Sequence, residues 1–129
     1  MRHFAAFLIA AASFATAACE PTVQLPVRAE IVAVSVSVDE LVCHVRAIAK
    51  EQRLSFHYGT FTVQTGRKAT IRLIGEAFEL EMARWDARPQ YEIRAYDMSK
   101  DGSARQIANR SFDQFKTTLI ERLTGKCAR

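Results

Sequence analysis

The chain has 129 residues, 49% of them hydrophobic, and 18 lysines and arginines against 14 aspartates and glutamates, a formal excess of +4. That length suits one ordinary domain that buries a core unaided. Charges this evenly interspersed give no footprint for nucleic acid, and no internal repeat or low-complexity tract appears after the first residues.

The first element is a short basic start (Arg2, His3), an apolar stretch from Phe4 to Ala15, and then Thr16-Ala17-Ala18-Cys19. The apolar part is too short for a stable span and the small residues suit a signal peptidase, so residues 1–18 are expected to be a signal peptide. The remainder is then extracytoplasmic, where disulfides persist and no cofactor is expected.

Two processing routes fit the same residues. Ala15-Thr16-Ala17 is a small-x-small site that would release a soluble chain beginning near Ala18. Thr16-Ala17-Ala18-Cys19 instead resembles a bacterial lipobox, with Thr16 where an aliphatic residue is usual, and makes Cys19 the lipidated first residue. Cysteine parity favours the second route: lipidation at Cys19 leaves Cys43 and Cys127 as an even pair able to close a disulfide, whereas a soluble chain leaves an odd thiol. Residues 19–29, with Pro21 and Pro26, then form a tether reaching roughly 30 Å. Glu20 differs from the Asp of an inner-membrane retention signal, which points to the outer membrane. Loss of residues 1–18, Arg2 among them, lowers the charge excess from +4 to +3.

Residues 30–129 read as a single domain. Glu30 to Val38 alternates as a half-buried strand, with Val32, Val34, Val36 and Val38 on one face. Ser37 and Glu40 form a capping box, and Leu41, Val45, Ile48 and Ala49 recur at helical spacing, so a helix is expected from about Asp39 to Glu51. From Leu54 to Gln64 the apolar phase changes at Gly59, which suggests a β-bulge. Thr65-Gly66-Arg67-Lys68 reads as a hairpin turn into Ala69 to Ile74. A second phase slip near Gly75, before Phe78, Leu80 and Met82, leaves one bulged strand and two short ones both open. Tyr91 to Met98 is the last strand. Ser111 and Gln114 form a second capping box, followed by the stripe Phe112, Phe115, Leu119 and Leu123, with Gly125 ending the helix.

This order predicts an α+β two-layer sandwich, an antiparallel sheet of about four strands with two helices on one face. Antiparallel helices would set Cys43, early in one, beside Cys127, just past the other.

Catalytic motifs are absent from this reading. Cys43 and His44 are neighbours on a helix and diverge by about 100°, so they do not face one another. His44 is expected on the solvent side and Cys43 as a disulfide half; His57 falls on the open sheet face. No histidine spacing suits a metal. Glu79 and Glu81 share a face about 7 Å apart, a separation compatible with glycoside hydrolysis, but cross-strand salt bridging with Arg72 and Arg94 is the simpler account. That face would carry Arg72, Glu79, Glu81, Trp85, Glu92, Arg94 and Tyr96. Arg72, Trp85, Arg94 and Tyr96 are the candidate partner-binding residues, of types enriched at interfaces, although they also fit an ordinary solvated face.

The plan of signal peptide, degenerate lipobox, tether and small domain is similar to that of small Gram-negative envelope lipoproteins. Such a resemblance implies a non-enzymatic adaptor, inhibitor or immunity-type domain, either an outer-membrane lipoprotein facing the periplasm or soluble in the periplasm. Its partner would be an envelope protein, with the membrane reached through Cys19. Two other readings stay open: a cell-wall hydrolase acting through Glu79, Glu81 or His57, and a binder of anionic lipid or lipopolysaccharide through Arg67, Lys68, Arg88 and Arg105.

Overall fold

A capping serine and a buried stripe set the first two elements. The computed structural model describes residues 24–63, 66–85 and 89–128. Strand β1 spans Arg28–Ala33 and helix α1 spans Val38–Glu51. The strand begins two residues before the expected Glu30 and ends well before Val38. The Val34 amide donates to the Pro89 carbonyl at 2.9 Å, and the chain then turns so that Ser37 can accept the Glu40 amide at 3.2 Å. Val34 and Val36 still reach the core, from coil rather than strand.

Helix α1 stops in a Schellman arrangement. The Leu54 amide bonds to the Ala49 carbonyl at 2.8 Å and the Arg53 amide to Lys50 at 3.4 Å, with Arg53 in the left-handed region at φ 56°.

Four strands follow as a meander: β2 Ser55–Val63, β3 Gly66–Ile74, β4 Phe78–Trp85 and β5 Gln90–Asp97. Strand β1 joins β5, giving the order β1-β5-β4-β3-β2 with every ladder antiparallel. The sheet thus has five strands rather than about four, and α1 carries the chain from one edge to the other.

Strands β2 and β3 pair one to one from Ser55↔Ile74 to Val63↔Gly66, so there is no bulge at Gly59. The apolar phase change at Gly59 falls within one unbroken strand. Gly66, Arg67 and Lys68 lie in β3 rather than in a turn; Thr65 lies outside the described residues. At Gly75 the chain makes two strands. The Gly75 amide bonds to the Phe78 carbonyl at 2.9 Å across Glu76 and Ala77, and a side chain at Gly75 would run into the Phe78 ring.

Helix α2 spans Arg105–Arg122, beginning six residues before the expected cap at Ser111, which is an interior helical residue. Ala104 at its N-cap supplies no side-chain bond, and the work is done upstream. Ser99 Oγ accepts the Ala104 amide at 3.2 Å, the Asp97 carboxylate accepts the Ser99 amide at 2.8 Å, and Asp101 accepts the Ser103 amide at 3.0 Å. Gly102, at φ 75°, supplies the left-handed residue that this turn requires.

Both helices lie on one face of the sheet, α1 over β2 and α2 over β4 and β5. The core between the layers joins Leu41, Val45 and Ile48 of α1 to Ile71, Leu73, Leu80, Met82 and Ile93 of the sheet and to Phe112, Phe115 and Leu119 of α2. The inner face of β1 carries two charged residues, Arg28 and Glu30, ahead of Val32, which packs against the core. Arg28 lies 4.5 Å above the Phe112 ring and pairs with Asp113 and Glu30, while Lys116 reaches Glu30 at 2.7 Å. These bonds, first the one from Lys116, hold the Glu30 carboxyl below its ordinary value.

The end of α2 meets the end of α1 through Arg122 and Glu51. Residues 123–128 then run back along α1. His44 Nε2 donates to the Gly125 carbonyl at 3.0 Å, the Cys127 amide donates to Glu40, and Cys43 and Cys127 form a disulfide with Cα atoms 6.0 Å apart. It is this tail that brings the cysteines together. His44 is not on the solvent side as expected: it is 4% exposed, beneath the tail.

Candidate functional site

The positions of β3, β4 and β5 that alternate with the core residues face away from both helices. In register they form rows: Arg72, Glu81 and Arg94 in one, Glu79 and Tyr96 in the next, and Thr70, Ala83 and Glu92 on the other side. Thr70, Glu79 and Ala83 are only 6–7% exposed and make a floor. Longer side chains stand around it, and a groove of about 550 Å³ is lined by Gln24, Lys68, Thr70, Arg72, Glu79, Glu81 and Tyr96. A smaller one of about 280 Å³ lies alongside, bordered by Ile31, Ala83, Glu92 and Arg94 among others.

Opposite charges alternate over this surface. Arg72 pairs with Glu79 across the β3–β4 ladder, and Lys68 stands 4.0 Å from Glu81. Arg94 grips Glu92 along β5 with two bonds, 2.8 and 3.0 Å, and also bonds to Tyr96. The guanidinium groups of Arg72 and Arg94 are pushed above their ordinary value chiefly by these carboxylate bonds. The Arg94 bond in turn holds the Glu92 carboxyl below its own ordinary value. The expected salt bridging is therefore real for Arg72, whereas Arg94 pairs along its own strand.

The fold brings Arg72, Arg94 and Tyr96 onto one surface. Trp85 ends β4 opposite Lys68; its side chain lies outside the described residues. Lys68 was missed as a member because the hairpin turn was expected too late in the sequence, and Thr70, inside the expected strand, was passed over. The alternation Lys68, Thr70, Arg72 is the signal that would have found them. Gln24 carried no signal. Cys19 lies outside the described residues.

His57 is exposed on β2 and pairs in register with Arg72, so it extends the same row. Glu79 and Glu81 each meet a cation, an arrangement suited to charge matching rather than to the sheltered acid of glycoside hydrolysis. Cys43 is consumed in the disulfide. The basic residues weighed for lipid binding do not converge. Lys68 lies at the Trp85 end of β4, and Arg105 follows Asp97, which pairs with the opposite end at Phe78. Arg67 lies in β3 beside Lys68, and Arg88 is outside the described residues. Among the described residues no group of three or more His, Cys, Asp or Glu side chains is placed to hold a metal ion, and no helix is long and apolar enough to cross a membrane.

Comparison of the chain with protein-family models, with curated proteins and with solved structures gave no match.

Proposed function

We propose that this chain is an exported envelope protein, held at the outer membrane by lipid on Cys19, that binds a protein partner through its helix-free sheet face without catalysing a reaction. One observation carries the reading: the β3–β5 surface holds a groove with a buried floor and a rim bearing both signs of charge, where Arg72, Arg94 and Tyr96 stand together. Arginine and tyrosine are anchor types at interfaces, and ion pairs already matched within one surface can be exchanged for pairs across it, which favours specificity. The exported address draws on the first nineteen residues of the sequence and is supported by the disulfide, a bond at home in oxidising compartments.

The test is site-specific photo-crosslinking in the envelope of a Gram-negative host. A crosslinker at Tyr96 should capture a protein that the same group at Ile120, an exposed position on α2, does not. Capture should disappear with Arg94→Ala or Trp85→Ala. Capture that survives both substitutions would reject this face.

A further inference from the structure

Before β1 the chain does not leave the sheet. The Val27 amide donates to the Ala95 carbonyl at 2.8 Å, and the Gln24 side-chain amide donates to the Asp97 carbonyl at 2.5 Å. Residues 24–27 therefore continue beside the end of β5, where the sequence alone suggested a free tether. Cys19 and Gln24 are five Cα steps apart, a reach of at most about 17 Å.

This end of the sheet carries two of the exposed large apolar side chains of the domain. Leu25 is 80% exposed, and Met98, the residue after β5, is 48% exposed. The Met98 amide bonds to Ala77 in the β3–β4 turn at 2.9 Å, so that turn belongs to the same end. Lys100 and Arg105 follow, both exposed, in and just after the connection to α2. Of the acids at this end, Asp97, which closes β5, and Asp101 in the connection are turned to the backbone amides of Ser99 and Ser103, while Glu76 of the β3–β4 turn is exposed. Apolar side chains bare to solvent beside cations, at the end of the domain closest to Cys19, have the chemistry of an interfacial contact.

We propose that this end of the sheet is seated on the lipid bilayer, with Leu25 and Met98 at the acyl boundary and Lys100 and Arg105 at headgroup phosphates. The inference rests on the lipidation of Cys19 proposed above. Two apolar side chains are too few to bind a bilayer from solution, but a tether of this length raises their effective concentration at the surface and makes a weak contact persistent. The strands then stand upright on the membrane and the helix-free face opens sideways, parallel to it, so its partner must itself lie near the membrane surface.

The chain's single tryptophan makes the test direct, since Trp85 ends β4 at the far end of the strand from Phe78, the residue that pairs with Asp97. Acylated protein is reconstituted into vesicles of phosphatidylethanolamine and phosphatidylglycerol with brominated acyl chains, which quench indole on contact. Trp85 of the unsubstituted chain should keep its emission, and Leu25→Trp and Met98→Trp, each in a Trp85→Phe background, should lose most of theirs. Equal quenching at all three positions, or none at Leu25→Trp and Met98→Trp, overturns the orientation. The intact mass of the same samples separates the two claims. An acylated chain with the wrong quenching pattern removes the orientation alone; a chain without acyl mass removes the anchor and the orientation with it.

Discussion

His44 Nε2 stands 3.0 Å from the carbonyl oxygen of Gly125, 81 residues further along the chain, and 3.4 Å from Glu40 Oε1. Both neighbours are acceptors, so this ring nitrogen carries the proton. Glu40 also receives the Cys127 amide, and the Cys43–Cys127 bond lies beside it. One turn and a half of α1 thus clasps the C-terminal tail by three different bonds. His44→Ala should lower stability by about 1–2 kcal/mol, through loss of a part-buried hydrogen bond and of a buried ring. Urea unfolding of the oxidised protein measures it, and an unchanged midpoint would show that the tail holds without the histidine.

The disulfide closes a separation of 84 residues. Its main effect in the chain-entropy account is on the unfolded ensemble, so Cys43→Ser with Cys127→Ser should lower stability by about 2–5 kcal/mol. The core residues lie elsewhere, so the far-ultraviolet circular dichroism of the folded variant should match that of the parent. Thermal and urea midpoints of oxidised, reduced and substituted protein check both statements; loss of the native spectrum would mean that the tail organises more of the fold than α1.

Acid should weaken the protein by a route that can be traced to two carboxyls. Glu30 is held below its ordinary value of 4.5 first by its bond from Lys116 and then by Arg28, against the opposing effect of desolvation; Glu92 is held below 4.5 by Arg94. A carboxyl with a lower pKa folded than unfolded contributes stability that is complete above the unfolded value and is lost as pH falls through the folded one. The unfolding free energy should therefore fall between about pH 5 and about pH 3. Both pairs are partly exposed and screened, so each contributes under about 1 kcal/mol. Glu30→Gln with Glu92→Gln should flatten this acid slope, and a slope as steep as the parent's would assign it to other carboxyls.

Arg53 occupies the left-handed residue of the Schellman motif that ends α1. A side chain there costs roughly 1–2 kcal/mol that glycine avoids. Glycine also gains freedom in the unfolded chain, so Arg53→Gly should raise stability by about 0.5–1 kcal/mol. A lowered melting temperature would mean that the arginine side chain contributes more than its strain.

Much of the fold was legible because period and caps agreed. Ser37, Glu40 and the stripe Leu41, Val45, Ile48 and Ala49 located α1 to within a residue, and Phe112, Phe115 and Leu119 located the buried side of α2. The start of α2 was misread because Ser111 and Gln114 carry the capping-box pattern inside a helix, while the residue that caps in its place, Ser99, is five residues before Ala104 and works through a turn. His44 was misread by type. Its spacing from Leu41, Val45 and Ile48 places it inside the buried stripe, but the acceptor that makes burial tolerable, Gly125, comes from the far end of the sequence. The same locality limit applies to the candidate face. Arg72, Arg94 and Tyr96 were placed by alternation within single strands, whereas Gln24 joins them only because the chain ahead of β1 runs beside β5.

The strand order sets a schedule for the growing chain. Strands β3 to β5 can each pair with the strand made just before it, but β1, the first strand to be made, finds its ladder only when Gln90–Asp97 has appeared. Until then Arg28–Ala33 has both backbone edges open, and α1 has no finished sheet to cover. Such a long-range pairing slows folding and leaves the earliest segment as the one most open to wrong partners. A newborn copy is thus most vulnerable around Arg28–Ala33, and the segment around Cys127, made after every described strand, is the one that locks the result.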